Sequence, residues 1–576
     1  MTAKARLFLS TIPDDFDPTR DAALGPWCFG SSESVWPEWE FQGFSDPFPD
    51  FDDLRREVTR CHGLTAWLLP RVGEALNARH GTRHGSAFWW VQLVPWLKFL
   101  AEAAWIRWNW VAAFANRGPG QAFAVETFAG AEAVNWRFAD SGSFIDDGLL
   151  DPDFDFWLLS LIVERQTPPS WRILPRPGRV SLPEERDRAS QPPTHTSALR
   201  QFARRLFGRL PFNSVHGMSL AVLPFSALAA LKPAKPALPP LLPEPISARP
   251  AGLPGPFLAL LEDILVPATM PMAFLDDFAR LEAEAAAKAY RPGRLLVTTA
   301  TIYNDAANRE IGFAMEAGER VVRTQHGAVY GCEEFTAQVE LLEYYHDAFV
   351  TWGWTEQDDL PGRFLPLPSP FLSKLANRHR ETTGDLVLVG TRSRLRPNQV
   401  DPVPRNGYWP AHRREKVAFL EGLPAALRGR TRYRPYLRAR AEMLDLPYMQ
   451  AQVPGLAVVD GDLTRTLLGC RLAAIDHPGT TLAVALAADV PTLCFFDPDC
   501  WAFSRQARPL VEALRQTGIL HPSGTAAAVH AAAVWNDIPG WWRSPSVQKA
   551  RQDWCRRYAW GDRFWWWHWA KEIARL

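Results

Sequence analysis

The sequence predicts an α/β protein, with two tandem doubly wound, Rossmann-like domains between a helical N-terminal region and a Trp-rich C-terminal helix. Three observations carry that expectation. From Arg294 to Thr517, short apolar runs alternate with helical patterns of roughly 8 to 15 residues, which is how parallel strands covered on both faces read. The 576 residues are too many for one core and suit two or three domains. Residues 51–116 keep a three-to-four apolar spacing, first in Leu64, Trp67, Leu68 and Val72, then in Trp89, Leu93, Trp96, Leu97 and Leu100, so two long helices are expected there.

Taken in order, the long helices include the run Trp105 to Trp110, where Trp105 and Trp108 share a face suited to a buried seam, a partner helix or a bilayer surface. Segments 168–187 and 233–256 are too dense in proline for helix or inner strand and read as connectors. A helical pattern returns over 257–290. The first α/β series then places strands at 295–299, 320–325 and 348–352 and helices at 304–317 and 334–345. The second places strands at 385–390, 431–436, 456–460, 472–476 and 492–496, with helices at 413–427, 463–470, 480–488 and 505–517. A Trp-rich helix over 547–574 ends the chain. The domains follow: an N-terminal domain over 1–375, with its helical region at 50–120, connectors at 168–256 and Rossmann-like part at 290–360; a C-terminal Rossmann-like domain over 381–545; and a helix over 546–576 that packs back on the N-terminal domain.

Composition excludes several classes. Lys and Arg total 63 and so do Asp and Glu, so no net field is available to hold a polyanion, and nucleic acid is not an expected partner. With 47% hydrophobic and 22% charged residues, the chain should fold rather than stay disordered. Seven scattered cysteines without a C-x-x-C pair indicate neither a disulfide framework nor a zinc site, and a reducing compartment fits. The apolar run near the start is only a few residues long before Pro13 and Asp14, too short for a signal peptide, and the greasiest stretch is broken by Lys98, Glu102 and Arg107, so a cytoplasmic protein is expected. The 26 tryptophans leave room for peripheral contact with the inner face of a membrane.

Two motifs stand at strand-to-helix junctions, where ligands of open parallel sheets bind. In Asp476-His477-Pro478-Gly479-Thr480-Thr481, the glycine permits close backbone approach and the threonines bring hydroxyls and helix N-terminal amides, which suits a phosphate; a plain capped helix is the alternative. In Gln325-His326-Gly327-Ala328-Val329-Tyr330-Gly331, two glycines surround a His and a Tyr, with Glu334 just beyond. His326 or a carboxylate there could move a proton, and a tight turn is the alternative. Arg392, Arg394 and Arg396 after one strand, and Arg432 and Arg434 in another, suit phosphate or carboxylate, or are solvated surface. Asp305 opens a helix as a catalytic carboxylate or a cap. No dinucleotide, Walker A, H-E-x-x-H or G-x-S-x-G pattern sits at such a junction.

LGPWCF (from Leu24), Pro95-Trp96-Leu97, TQHGAVYG (from Thr324), TWGW (from Thr351), YRPY (from Tyr433) and DHPGTTLAVALAADVPTLCFFD (from Asp476) together resemble a family of transferases encoded in bacterial surface-polysaccharide loci, over nearly the whole chain. The resemblance implies a glycosyltransferase of GT-B type, with the donor nucleotide on the C-terminal domain and the acceptor on the N-terminal one. At longer range, His477, Pro478, Thr480 and Thr481 look like CMP-binding elements of sialyltransferases and CMP-Kdo transferases. Leu482-Ala483-Val484-Ala485 lacks the carboxylate such enzymes direct at ribose, which leaves that role to Asp460 or Asp497.

The expectation is therefore transfer of a sugar, best a CMP-activated acidic sugar such as Kdo or a nonulosonic acid, to a polysaccharide, lipid-linked or flagellar protein acceptor. His477, Pro478, Gly479, Thr480, Thr481, Arg434, Arg392, Asp460 and Asp497 would hold the donor. Gln325, Gly327, Tyr330 and Gly331 would line the cleft, with His326, Asp305 and Glu334 as catalytic groups. No cofactor and no metal is expected. The alternatives are a nucleotide-sugar epimerase of two-Rossmann type and a non-catalytic glycan-binding assembly factor.

Overall fold

Three all-parallel sheets organise the chain in the computed structural model, which describes residues 5–30, 44, 46–118, 120–180, 212–213, 215, 218, 249–299, 301–391, 396–400, 409–436 and 445–576. Arg392 and Arg394 lie outside the described residues.

The first sheet was not expected; its strands flank the helical region expected over 50–120. Its strands are β1 (Arg6–Phe8), β2 (Ala22–Ala23), β3 (Ala124–Phe128) and β4 (Arg172–Arg176), ordered β2-β1-β3-β4. Strand β4 falls in the proline-rich stretch expected to be a connector. It tolerates Pro175 because it pairs only with β3, and an edge strand has one side with no ladder to feed. The helices α1 (Phe51–His80) and α2 (Ser86–Arg117) form as expected and pack on one another, and α2 packs on α3 (Pro152–Gln166). Helix α1 has Asp50 as N-cap, accepting from the Asp53 amide, and Gly81 in the left-handed region at its other end. Trp105 and Trp108 are 5% and 7% exposed, edge-on to Phe257, so the seam reading of that face holds and no bilayer surface is available on it.

The second sheet runs β5 (Phe212–Asn213), β6 (Leu295–Thr298), β7 (Arg320–Thr324), β8 (Ala348–Thr351) and β9 (Phe364–Pro366) in sequence order. Preceding it is α4 (Phe278–Ala286). Helix α5 (Asp305–Glu316) packs between one face and α2, burying Ile311 and Ala314 with Leu296, Val321 and Val91. The helix expected over 334–345 shortens to α6 (Ala337–Leu342), because Glu333 and Glu334 are drawn into backbone pairing with Phe503 and Ala502.

The third sheet holds β10 (Leu386–Val389), β11 (Thr431–Arg434), β12 (Ala457–Val458), β13 (Leu472–Ile475), β14 (Thr492–Phe495) and β15 (Leu520–His521). Their order, β12-β11-β10-β13-β14-β15, is the 3-2-1-4-5-6 doubly wound arrangement, whose reversal between β10 and β13 opens a crevice at the carboxyl ends of those strands. Helix α7 (Trp409–Gly422) follows β10 and stops before Pro424, which caps a separate short turn and splits the helix expected over 413–427. Helices α8 (Thr480–Ala487) and α9 (Arg508–Gln516) follow β13 and β14.

The expected C-terminal helix is two. Helix α10 (Pro545–Tyr558) buries Trp554 and Tyr558 in the core of the third sheet, whereas α11 (Trp565–Arg575) lays Trp565, Trp569 and Ile573 on Val297, Val322 and Val350 of the second. Gly353, at φ +120°, lets the end of α10 approach, since a Cβ there would sit 2.3 Å from the Arg556 carbonyl oxygen. No helix among the described residues is long and apolar enough to cross a membrane.

Candidate functional site

The carboxyl edges of the second and third sheets meet through the two glycine-containing motifs. Gln325 follows β7 and His477 follows β13, and the Ala328 amide donates to Thr480 Oγ1 at 3.2 Å. Gly327 lies beside the same hydroxyl, where a Cβ would come within 3.5 Å of it. Helix α8 is N-capped by Gly479 with no side-chain cap bond, so the Thr480 hydroxyl bridges two sheets instead of capping its own helix.

Beneath this contact, at the reversal point, lies Asp476, fully buried. One carboxylate oxygen accepts from His477 Nδ1 at 2.8 Å. The other accepts from the Thr391 amide at 2.9 Å, beyond β10, and pairs with His412 Nε2 at 3.2 Å and Lys416 Nζ at 3.4 Å. Burial alone would raise the Asp476 carboxyl, but Lys416, His412 and His477 outweigh it and hold it well below the usual carboxylate range. Lys416 also reaches Asp445 at 2.7 Å, where Arg413 and the Tyr433 hydroxyl converge. Two carboxylates thus face Lys416 and Arg413 in the interior, and the charge is balanced locally. Gly479 completes the arrangement: a Cβ there would lie 2.7 Å from His477 Cδ2, so glycine lets the imidazole lie across the start of α8.

On the opposite side, the loop after β7 is held from within. Gln325 Oε1 accepts from the Trp352 amide and from Trp354 Nε1, both at 2.8 Å, and its Nε2 donates to the Gly327 carbonyl at 2.7 Å. Gly331, at φ +74°, leaves room for the Trp354 ring. His326 is exposed, with the Tyr330 hydroxyl 2.8 Å from its Nδ1 and that hydroxyl donating to Glu343 Oε1 at 3.0 Å.

A family model described as LIC12162 family transferase matches residues 5–573, nearly the whole chain. The chain belongs to that family. No curated protein matches it in sequence. Among solved structures, this LIC12162 family transferase is similar to an S. aureus TarM mutant in complex with Fondaparinux, alpha-GlcNAc-glycerol and UDP, at 10% identity and a TM-score of 0.31. That likeness spans 49% of this chain and 55% of the other, about half of each.

The remaining expected residues of the transferase disperse. Asp305 is 2% exposed, with one oxygen accepting from the Ser141 amide at 2.8 Å; burial, against that bond, pushes its carboxyl up to about 6. The cap of α5 is Asn304. Arg434 reaches the Gly461 carbonyl at 2.8 Å at the end of β11, Asp460 is exposed beyond β12, and Asp497 caps the next turn through the Asp499 amide. Arg432 pairs with Asp385, and Arg396 is buried against Asp155 of the N-terminal region. Glu334 pairs with Arg55 and lines a groove of about 720 Å3 with Asp50, Phe51, Trp501, Phe503 and Arg508. Among the described residues, no group of three or more His, Cys, Asp or Glu could hold a metal ion.

Sequence reasoning missed His412, Arg413 and Lys416. Their signal was present: HRREK opens the helix after the first strand of the second series, and positions i, i+1 and i+4 place the three within one turn of each other.

Proposed function

We propose that this transferase moves a glycosyl group from a nucleotide-activated donor to a hydroxyl acceptor, with the donor phosphate at the crevice between β10 and β13. The observation that carries the reading is the convergence of His477, Gly479 and the start of α8 over a buried, charge-balanced Asp476 network, directly opposite the His326 loop. Phosphate charge is met by the helix N-terminus and by His477, with no metal invoked. Arg434 and Asp460 lie toward the nucleoside side. The acceptor enters from the second sheet, and the groove holding Glu334, Trp501 and Phe503 offers carboxylate and aromatic surfaces to a glycan. In the transfer, the acceptor oxygen bonds to the anomeric carbon as that carbon's bond to the phosphate oxygen breaks. The electron pair leaves with the phosphate, and the acceptor proton passes to His326.

A CMP-activated acidic sugar remains the preferred donor, resting on the resemblance of the His477 to Thr481 motif. Thermal denaturation with CMP, CDP, UDP, GDP and dTDP tests the reading. A nucleotide at 100 times its Kd adds about 2.7 kcal/mol. A gain with one nucleotide class, lost in His477→Ala, supports a donor site, and equal denaturation with all five rejects it. An epimerase would release nucleotide from a sugar nucleotide without acceptor, and a glycan-binding factor would ignore nucleotides altogether.

A further inference from the structure

The bilayer contact that the buried Trp105 and Trp108 cannot make is open at α11. Its inner stripe, Trp565, Trp569 and Ile573, is taken up by the second sheet. Its outer stripe runs from the preceding residue, Phe564, through Trp567 and Lys571 to Arg575, at i, i+3, i+7 and i+11, and these four stand on one side of the helix. Phe564 is 48% exposed and Trp567 54%, and Lys571 and Arg575 are exposed beside them. Arg563 adds a third exposed cation, its guanidinium carbon 4.4 Å from the centroid of the Phe564 ring. The carboxylates of the segment are less exposed: Asp562, at 30%, lies 3.7 Å from His568, and Glu572, at 21%, pairs with Arg575 at 3.4 Å.

Two large rings held in water keep apolar surface hydrated, and three cations around them, in a chain whose formal net charge is zero, give the stripe a local positive sign. An anionic bilayer meets both features at once. Aromatic rings settle at the boundary between headgroups and acyl chains, and Lys and Arg extend past them to lipid phosphates. The 11 residues of α11 rise about 16 Å, half of the roughly 30 Å hydrocarbon layer, so the helix lies along such a surface and does not cross it. A second copy of the chain fits worse, because a two-fold contact sets the stripe against itself and brings like charges together.

We infer that the outer stripe of α11 is a docking surface for an anionic lipid bilayer, with Phe564 and Trp567 entering the headgroup layer and Arg563, Lys571 and Arg575 engaging its phosphates. Because α11 covers the second sheet, docking holds at the membrane the part of the protein from which the acceptor enters in the glycosyl-transfer reading. The docking itself rests on the stripe alone, and it stands or fails whether or not a glycosyl group is transferred.

The test is co-sedimentation of the full chain with vesicles of phosphatidylcholine, alone or with one-third phosphatidylglycerol, at low and high salt. The wild-type protein is expected to pellet with the anionic vesicles at low salt and to be released at high salt, since the cations act through charge. Phe564→Ser combined with Trp567→Gln should weaken that partition about tenfold, and Lys571→Gln combined with Arg575→Gln by about as much, down to the level for phosphatidylcholine alone. Both double variants replace exposed side chains and should keep the wild-type Tm, which separates loss of docking from loss of fold. Val529→Ser, at a side chain 65% exposed on the helix Gly524–Val534 of the third sheet, should leave the partition unchanged. Failure of the wild type to pellet with anionic vesicles at low salt overturns the inference, as does equal pelleting of the wild type and the Phe564 and Trp567 variant. A doubling of mass with protein concentration in light scattering without lipid, lost in that variant, assigns the stripe to a second copy of the chain and overturns it as well.

Discussion

Asp476 serves a backbone amide, two imidazoles and the Lys416 ammonium at once, so replacing its charge has two separable effects. Asp476→Asn leaves Lys416 opposed, among the described residues, only by Asp445 in the interior, and breaking such a buried pair costs about 3–5 kcal/mol. Denaturant unfolding should register that loss, while the same protein should show no nucleotide-dependent gain in Tm. Gly479→Ala separates ligand from stability. Its backbone, at φ −82°, accepts alanine without strain, so unfolding should change by less than about 1 kcal/mol. The His477 ring must still swing away from the new methyl, and nucleotide affinity should fall about tenfold by titration calorimetry. An unchanged affinity would show that the ring does not touch the ligand.

Helix α2 shows how an element carries information that its own periodicity does not display. Its spacing made the helix legible, but Lys98, Glu102 and Arg107 read as interruptions of an apolar run. In the structure all three are fully buried. Lys98 pairs with Glu102 at 2.8 Å, and Arg107 holds Asp155 at 2.6 Å, the Pro397 carbonyl and Asn398 Oδ1 both at 2.9 Å. The segment after β10 is thus anchored in the N-terminal helices, through partners far away in sequence that no local pattern names. Arg107→Met should destabilise by about 3–5 kcal/mol and speed amide exchange over 396–400; unchanged exchange there would mean the segment is held by other contacts. The same reasoning divides what the sequence disclosed elsewhere. Strands β6 to β8 and β10 to β14 and both glycine motifs were visible because their signals are local. Strands β1, β2 and β15 have two or three residues each, too few to set up an alternation, and β4 is disguised by proline. The meeting of Ala328 with Thr480 depends on two loops and could be expected only from the general geometry of facing sheets.

Across the whole molecule, a histidine ties the N-terminal helices to the second sheet. His84, between α1 and α2, bonds Glu282 of α4 at 2.7 Å and Glu316 of α5 at 2.9 Å. Burial lowers its pKa, but the two glutamates outweigh that and raise it from 6.5 to about 9. A raised folded-state value adds stability that is complete below the unfolded value of 6.5 and is lost as pH rises through about 9. The Tm difference between wild type and His84→Gln should therefore be largest at pH 6 and shrink toward pH 10, and a pH-independent difference would exclude the linkage. At the same scale, Trp569→Ala opens the face of the second sheet under α11 and should cost about 3–5 kcal/mol. That face also has a temporal meaning. Val297, Val322 and Val350 leave the ribosome before the whole third sheet has been made, whereas Trp565, Trp569 and Ile573, which cover them, are translated after it. At roughly 5–20 residues per second the apolar surface waits on the order of tens of seconds for its lid. In that interval the valine face of the second sheet lacks its α11 cover, and the native packing of that face is complete only after translation has passed α11.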